Sequence, residues 1–436
     1  MGSRNLSITV DMIRKDVEKH RQQHLATLHE ALKASFIGLE GFQKWIGKEM
    51  ERIGMQVEEY QVDISELHNQ PANHKTLREN PAALVKGPNV IGRLPGKGPG
   101  KGILLFGHAD KRPETYAWGK RKPEMVSRDG KLYGPGIADD VCGLASMLAA
   151  VETFRRLGME QEGDLLVASI LGKQMGVFGT YGLMKRYGPV EAAIYVHPAE
   201  SGDGLGDLKI ASLGNLEFII TIDGKFPSTS EPHHTIFSRE AVSASQKGIA
   251  VLQKLHAWAE EKNVQYRHAR VEQLTGQSFS LEESLFTAGV GQPVYEIPIR
   301  CEIRGMICFP PNAKLEEVQK EFCGVFDNLV NEDEWLNRGH ARLEFGDLIG
   351  DSCASDEDSE FVKMAVKAIH DVTGKNPSFY YGHSVSDIRY PLLYWNAQAF
   401  GVGPLCGDIG RETEWVDEQE YLDTIVAVTE MMKHSA

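Results

Sequence analysis

The chain has 436 residues, 42% of them hydrophobic and 25% charged, an ordinary globular composition with enough length for more than one core. Its 61 acidic and 47 basic side chains leave a net charge of −14, which repels a phosphate backbone, and no lysine and arginine run supplies a local basic stripe, so nucleic acid is not an expected partner. Met1 to Val10 lacks a long apolar segment and nothing later approaches the roughly 20 apolar residues of a membrane span, so the expectation is a soluble, cytoplasmic protein without a membrane partner.

From Leu25 to Gly54 apolar residues recur at three- and four-residue steps, which predicts an N-terminal layer of amphipathic helices. Short apolar runs follow at Ile103 to Phe106, Leu165 to Ile170 and Ala192 to Val196, suited to central strands covered on both faces, with a helix over Val141 to Leu157 between the first two. Near Gly214 the pattern changes to alternating strands, Leu216 to Ile222 and Val294 to Ile303, around a helix from about Ser238 to Lys262. After Asp347 a helix (Glu360 to Val372) and a strand (Ala397 to Val402) return. The fold class is therefore α/β, a mostly parallel sheet with helices on both faces, plus an inserted α+β domain. The expected boundaries are 1–213 and 347–436 for the main domain and 214–346 for the insert. Six scattered cysteines without a C-x-x-C pair read as reduced thiols.

Three predicted strands end in polar residues: Gly107-His108-Ala109-Asp110, Gly172-Lys173-Gln174 and His197-Pro198-Ala199-Glu200. Ligands of parallel sheets sit at the carboxyl ends of strands, so these groups are expected to share one crevice. A glycine-rich turn, Tyr133 to Asp140, adds two carboxylates at the start of the Val141 helix. Imidazoles plus a carboxylate suit zinc, manganese or a similar divalent ion, with an open position for water. Asp110 is placed to orient the His108 ring from behind. Each fragment alone has a plain structural reading, a surface histidine or a helix cap; the combination favours a metal site.

In that order the motifs resemble the co-catalytic zinc metallopeptidases that include aminoacylases, succinyl-diaminopimelate desuccinylase, carnosinase and carboxypeptidase G. Gly107 to Asp110 resembles the first ligand motif and Tyr133 to Asp140 the second; Glu302-Ile303-Arg304 resembles the closing strand of the lid domain and Ser386 to Arg389 a late Ser/Thr-Asp-x-Arg segment. The resemblance implies that His108 is a ligand of the first metal and Asp139 the bridging carboxylate. Arg304 and Arg389 stand where the family holds a substrate carboxylate, and lid-mediated homo-oligomers are implied.

The departures from that pattern shape the expectation. Lys173 and Gln174 replace a Glu-Glu pair, base and second-metal ligand; His197 replaces an acidic ligand before proline. No late histidine precedes Glu414, where only Asp408 offers a substitute, and Phe226-Pro227-Ser228 stands where a lid histidine is expected. The site read from the sequence thus holds one divalent ion (manganese or zinc, with cobalt or nickel as further options) on His108, Asp139 and His197. Asp110, Lys173, Gln174 and Glu200 are the catalytic candidates; Arg304, Arg389, His383 and Ser228 are the candidate contacts for a small substrate bearing a carboxylate. The expected reaction is hydrolysis of a C–N bond, with 5-nitroanthranilate-type aromatic deamination as a specific form, and a catalytically inactive binding protein as the alternative.

Overall fold

The computed structural model describes residues 8–63, 87–98, 100, 102–111, 115, 123–173, 178–198, 201–229, 231–235 and 240–433. They divide into two compact units, one running through Ala211 and resuming at Ala354, the other spanning Ser212–Cys353.

The first unit opens with three helices, α1 (Val10–Lys19), α2 (Arg21–Ala34) and α3 (Leu39–Arg52). Helix α1 lies ahead of the expected helical layer; the Thr9 hydroxyl caps it by accepting from the Met12 amide, and Ile13 and Val17 are its buried face. Strands β1 (Gln56–Tyr60), β2 (Asn89–Leu94) and β3 (Ile103–His108) follow, then α4 (Cys142–Arg156), β4 (Leu165–Ile170), α5 (Phe178–Arg186), β5 (Ala192–Val196) and β6 (Asp207–Lys209). Every residue of β3, β4 and β5 is buried, the signature of strands covered on both faces.

The second unit contains β7 (Gly214–Asp223), α6 (Ala244–Gln265), β8 (Ser280–Ala288), β9 (Arg300–Phe309), α7 (Leu315–Glu332) and β10 (Ala341–Gly350). Its sheet is antiparallel in the order β8-β9-β7-β10, with Leu216, Phe218, Ile220 and Ile222 packed beside Trp258 and Phe322 of the two helices. The strand expected from Val294 starts at Arg300, because Pro293 and Pro298 interrupt the approach to it. Strand β10 crosses the expected boundary at 346, since its last residues still pair with β7 at Asn215↔Gly350.

The chain completes the first unit with α8 (Glu360–Thr373), β11 (Ser378–Tyr380), β12 (Gln398–Val402) and α9 (Glu418–Met432). Among the described residues the main sheet has the order β1-β2-β4-β3-β5-β12-β6-β11. Strands β4, β3, β5 and β12 are mutually parallel, so their carboxyl ends open on one edge. All six cysteines are free, and no helix among the described residues is long and apolar enough to cross a membrane.

Candidate metal centre

His108 is the last residue of β3, and His197 follows β5, its amide donating to the Val402 carbonyl at 2.9 Å. Because β3 and β5 are parallel neighbours, the two imidazoles come out side by side, ring centres 5.5 Å apart and nearly stacked. The glycine-rich turn brings the third group. Gly136 has a φ of 71°, and the Glu414 carboxylate grips the turn by accepting from the amides of Ala138 at 2.7 Å and Asp139 at 3.0 Å.

His108 Nε2 lies 2.9 Å and His197 Nε2 3.2 Å from Asp139 Oδ1. Both histidines are 0% exposed and Asp139 is 5% exposed. The ring nitrogens facing away are fixed by backbone: His108 Nδ1 is 3.0 Å from the Asp110 carbonyl and His197 Nδ1 is 3.0 Å from the Pro198 carbonyl. With Nδ1 as the donor in each ring, both Nε2 atoms turn toward Asp139. These three ligand atoms lie within 4.8 Å of one another, and His108 Nε2 is buried without an aligned hydrogen bond. Two imidazole nitrogens and one carboxylate oxygen fit a borderline divalent ion such as zinc, which would take the place of a proton on buried His108 Nε2.

The two histidines differ sharply in basicity. Burial alone would lower His108, but Asp139 and Asp140 outweigh it and carry the ring up to about 9. Burial and then the Lys209 charge hold His197 down to about 3. Asp139 resists its burial through its close contacts with His108 and His197 and the charges of His108 and Lys173, and stays well below the usual carboxylate range, whereas burial drives Asp140 well above it.

The sequence-derived candidates fall into three groups. Asp110, Lys173, His383 and Arg389 surround the cluster. Asp110 meets His108 through its main-chain carbonyl; its carboxylate Oδ1 is 3.7 Å from Nδ1 and accepts from the Lys173 amide at 3.3 Å. The Lys173 charge lowers the basicity of His108, His197 and His383, which puts its amino group in the site's field rather than on a remote surface. His383 is 1% exposed, its ring 5.7 Å from that of His197, and burial holds it neutral; Arg389 is 3% exposed. Arg304 and Ser228 belong to the second unit, where both are exposed, Arg304 paired with Glu302 at 2.6 Å and Ser228 donating to Glu240 at 3.0 Å. Gln174 and Glu200 lie outside the described residues. Asp408 is exposed, held by Thr413 at 2.8 Å and apart from the cluster.

Four residues of the site escaped the sequence reading. Glu414 holds the Asp139 turn. Lys209, on β6, is wholly buried behind His197. Lys111 is 4% exposed and donates to the Gly136 carbonyl at 2.7 Å, with burial bringing its amine down to about 8. Asp387 is 0% exposed, accepts from Thr180 at 2.9 Å, and is pushed up by burial to about 6. Glu414 and Asp387 stand within motifs that the sequence does single out; an isolated lysine in a short strand gives no such signal.

Comparison with known proteins agrees with this geometry. The model of peptidase family M20/M25/M40 matches residues 104–434. The chain is 23% identical over 374 residues to N-formyl-4-amino-5-aminomethyl-2-methylpyrimidine deformylase of Bacillus subtilis, covering 82% of this chain and 79% of that protein. A shorter stretch of 149 residues is 32% identical to carboxypeptidase G2 of a Pseudomonas species, which is 33% of this chain and 34% of that enzyme. Among solved structures, a di-peptidase of Saccharomyces cerevisiae superimposes with a TM-score of 0.71 at 17% identity, over 98% of both chains, a likeness of fold.

Proposed function

The chain belongs to peptidase family M20/M25/M40, hydrolases of amide and peptide bonds, and from that premise we propose that it hydrolyses a C–N bond of a small carboxylate-bearing substrate at a mononuclear metal site. The observation that carries this reading is the buried convergence of His108 Nε2, His197 Nε2 and Asp139 Oδ1. A divalent ion held there, zinc or manganese in the first instance, supplies a Lewis acid and acidifies water. One ion fits better than two, because Gln174 replaces the carboxylate that the resembled motif supplies to a second metal, and Asp408 is exposed and held by Thr413.

The surrounding side chains do the rest. Lys173 places positive charge where negative charge builds on the substrate as the C–N bond is attacked. The planar fork of buried Arg389 suits a substrate carboxylate. Neutral His383 is the proposed proton carrier in place of the missing glutamate, with Glu200 the further candidate from the sequence. Within this class we favour hydrolytic replacement of the amino group of an ortho-carboxylate aniline by hydroxyl, with release of ammonia, as in 5-nitroanthranilate deamination, because an altered base and a cationic site suit an anionic arene. Survival of a complete buried ligand set counts against a catalytically inactive binding protein. A homodimer or higher homo-oligomer through the Ser212–Cys353 unit belongs to the same proposal.

The test is metal content per chain after loading with manganese or zinc, in the parent and His197→Ala, with turnover of a panel of N-acyl amino acids and aminobenzoates. One ion per chain, lost in His197→Ala together with C–N cleavage, is the expected result. An intact ion count in His197→Ala, or no turnover of any panel member by a loaded parent, overturns the reading.

A further inference from the structure

Lys209 is a fully buried lysine whose side chain reaches across a neighbouring strand. It stands on β6, opposite Gly401 of the antiparallel strand β12, and β12 in turn pairs with β5, the strand that leads into His197. The Lys209 stem passes over Gly401, where an added Cβ would come within 3.0 Å of its Cε. Its Nζ then donates to the carbonyls of His197 at 2.7 Å and Pro198 at 2.6 Å, with His197 Nδ1 at 3.4 Å. Gly403, further along the same chain, leaves room for the His197 carbonyl, which a Cβ there would approach to 2.3 Å. The turn bearing His197 is therefore held from behind by a cation that two glycine positions admit.

A lysine in the interior is expensive unless its donors are used and its charge is balanced. Both donors used here end on the main chain of one ligand-bearing turn, and none of these contacts stabilises a strand ladder. The Pro198 carbonyl is shared: it also faces His197 Nδ1 at 3.0 Å, so the group that orients the imidazole is itself fixed by Lys209.

We propose that Lys209 is a positioning residue of the metal centre: by bonding the His197 and Pro198 carbonyls across the gap at Gly401, it fixes the turn so that His197 Nε2 is presented to the ion. This rests on the reading of His108, Asp139 and His197 as the metal ligands. Groups that orient a ligand from behind in this way typically change metal affinity by about 10–100-fold when removed.

The experiment is calorimetric titration of zinc and manganese into metal-free parent, Lys209→Met and Gly401→Ala. The visible spectrum of each cobalt-loaded protein and the thermal midpoint of each metal-free protein are measured alongside. Lys209→Met keeps most of the stem and removes the donors; Gly401→Ala keeps the lysine and displaces it. Expected are a loss of affinity of about 10–100-fold in Lys209→Met, a smaller loss in Gly401→Ala, a cobalt spectrum altered from that of the parent, and metal-free midpoints near the parent value. Unchanged affinity and spectrum in Lys209→Met overturn the proposal, as does a lowered midpoint with unchanged affinity, which is a structural role alone. If Lys209→Met does not fold, Gly401→Ala decides: weakened binding supports the proposal and parental binding overturns it. His197→Ala separates this failure from that of the metal centre. A parent that binds no ion, or binds equally without His197, removes the metal-centre reading and this proposal together; tight parental binding lost in His197→Ala but kept in Lys209→Met removes only this one.

Discussion

The carboxyl ends of β3 and β5 carry the same residue type, buried to the same degree, against the same oxygen of Asp139, yet the two imidazoles differ by several units of basicity. His108 sits among carboxylates, Asp139 and Asp140; His197 has the Lys209 charge at its back. Burial lowers both rings and Asp139 raises both; what separates them is the further charge beside each, Asp140 for His108 and Lys209 for His197. One side of the site thus stores a proton and the other is already in the form a metal ion needs.

The most severe way to break this contrast is to remove what the two rings share. Asp139→Asn is expected to bring retained metal close to zero and turnover to background, measured by metal analysis and steady-state assay. Next in size, Glu414→Ala deprives the amides of Ala138, Asp139 and Gly410 of their acceptor, which at about 1 kcal/mol for each lost bond costs about 3 kcal/mol in denaturant unfolding. It also loosens Asp139, so metal affinity falls with stability. A neutral Glu414→Gln, which keeps a carbonyl oxygen, is expected to lose about half as much.

A third buried histidine sharpens the contrast from outside the site. His24, 1% exposed on α2, has neither ring nitrogen hydrogen-bonded, and burial followed by the Arg156 charge lowers it from 6.5 to about 4. A depressed folded-state value means stability that is complete above about 6.5 and is lost as pH falls through about 4, here up to about 3 kcal/mol. Unfolding between pH 7 and 4 is expected to show this slope, and His24→Leu to flatten it; a slope unchanged in His24→Leu would assign acid sensitivity elsewhere. The smallest effect is a proton count. Metal binding near pH 7 displaces about one proton, from His108 and not from His197, measured as the dependence of binding heat on buffer ionisation enthalpy. Two protons, or none, would mean that the rings are alike.

The convergence of His108, Asp139 and His197 was legible because each ends or follows a segment whose pattern is strong: continuous apolar strands terminating in polar residues, and a glycine-rich turn before a helix. What could not be read depends on pairing across the sheet. Lys209 matters only because β12 lies between β6 and β5 and carries glycine at 401, and nothing local to Asp207-Leu208-Lys209 announces that order. Asp110 was recognised as the partner of His108, but the choice of its carbonyl over its carboxylate is set by how the chain turns after β3. In the second unit, β8 and β10 were missed because Glu282, Arg342 and Glu344 stand exposed along them and Glu283 and Asp347 half-buried, which dilutes the apolar alternation to a level that loops also reach. They are the edges of that sheet, where charge is what keeps strands from pairing with strangers.

The pairing of Asn215 with Gly350 means that the Ser212–Cys353 unit leaves and rejoins the chain at hydrogen-bonded neighbours, and within the first unit the Ser355 amide meets the Ile210 carbonyl at 2.8 Å. Such an insert behaves as a cassette. Its two ends are already spliced together in space, so evolution can exchange or lengthen the module, and an engineer can excise it with a short hairpin, without re-threading the sheet that holds the ligands.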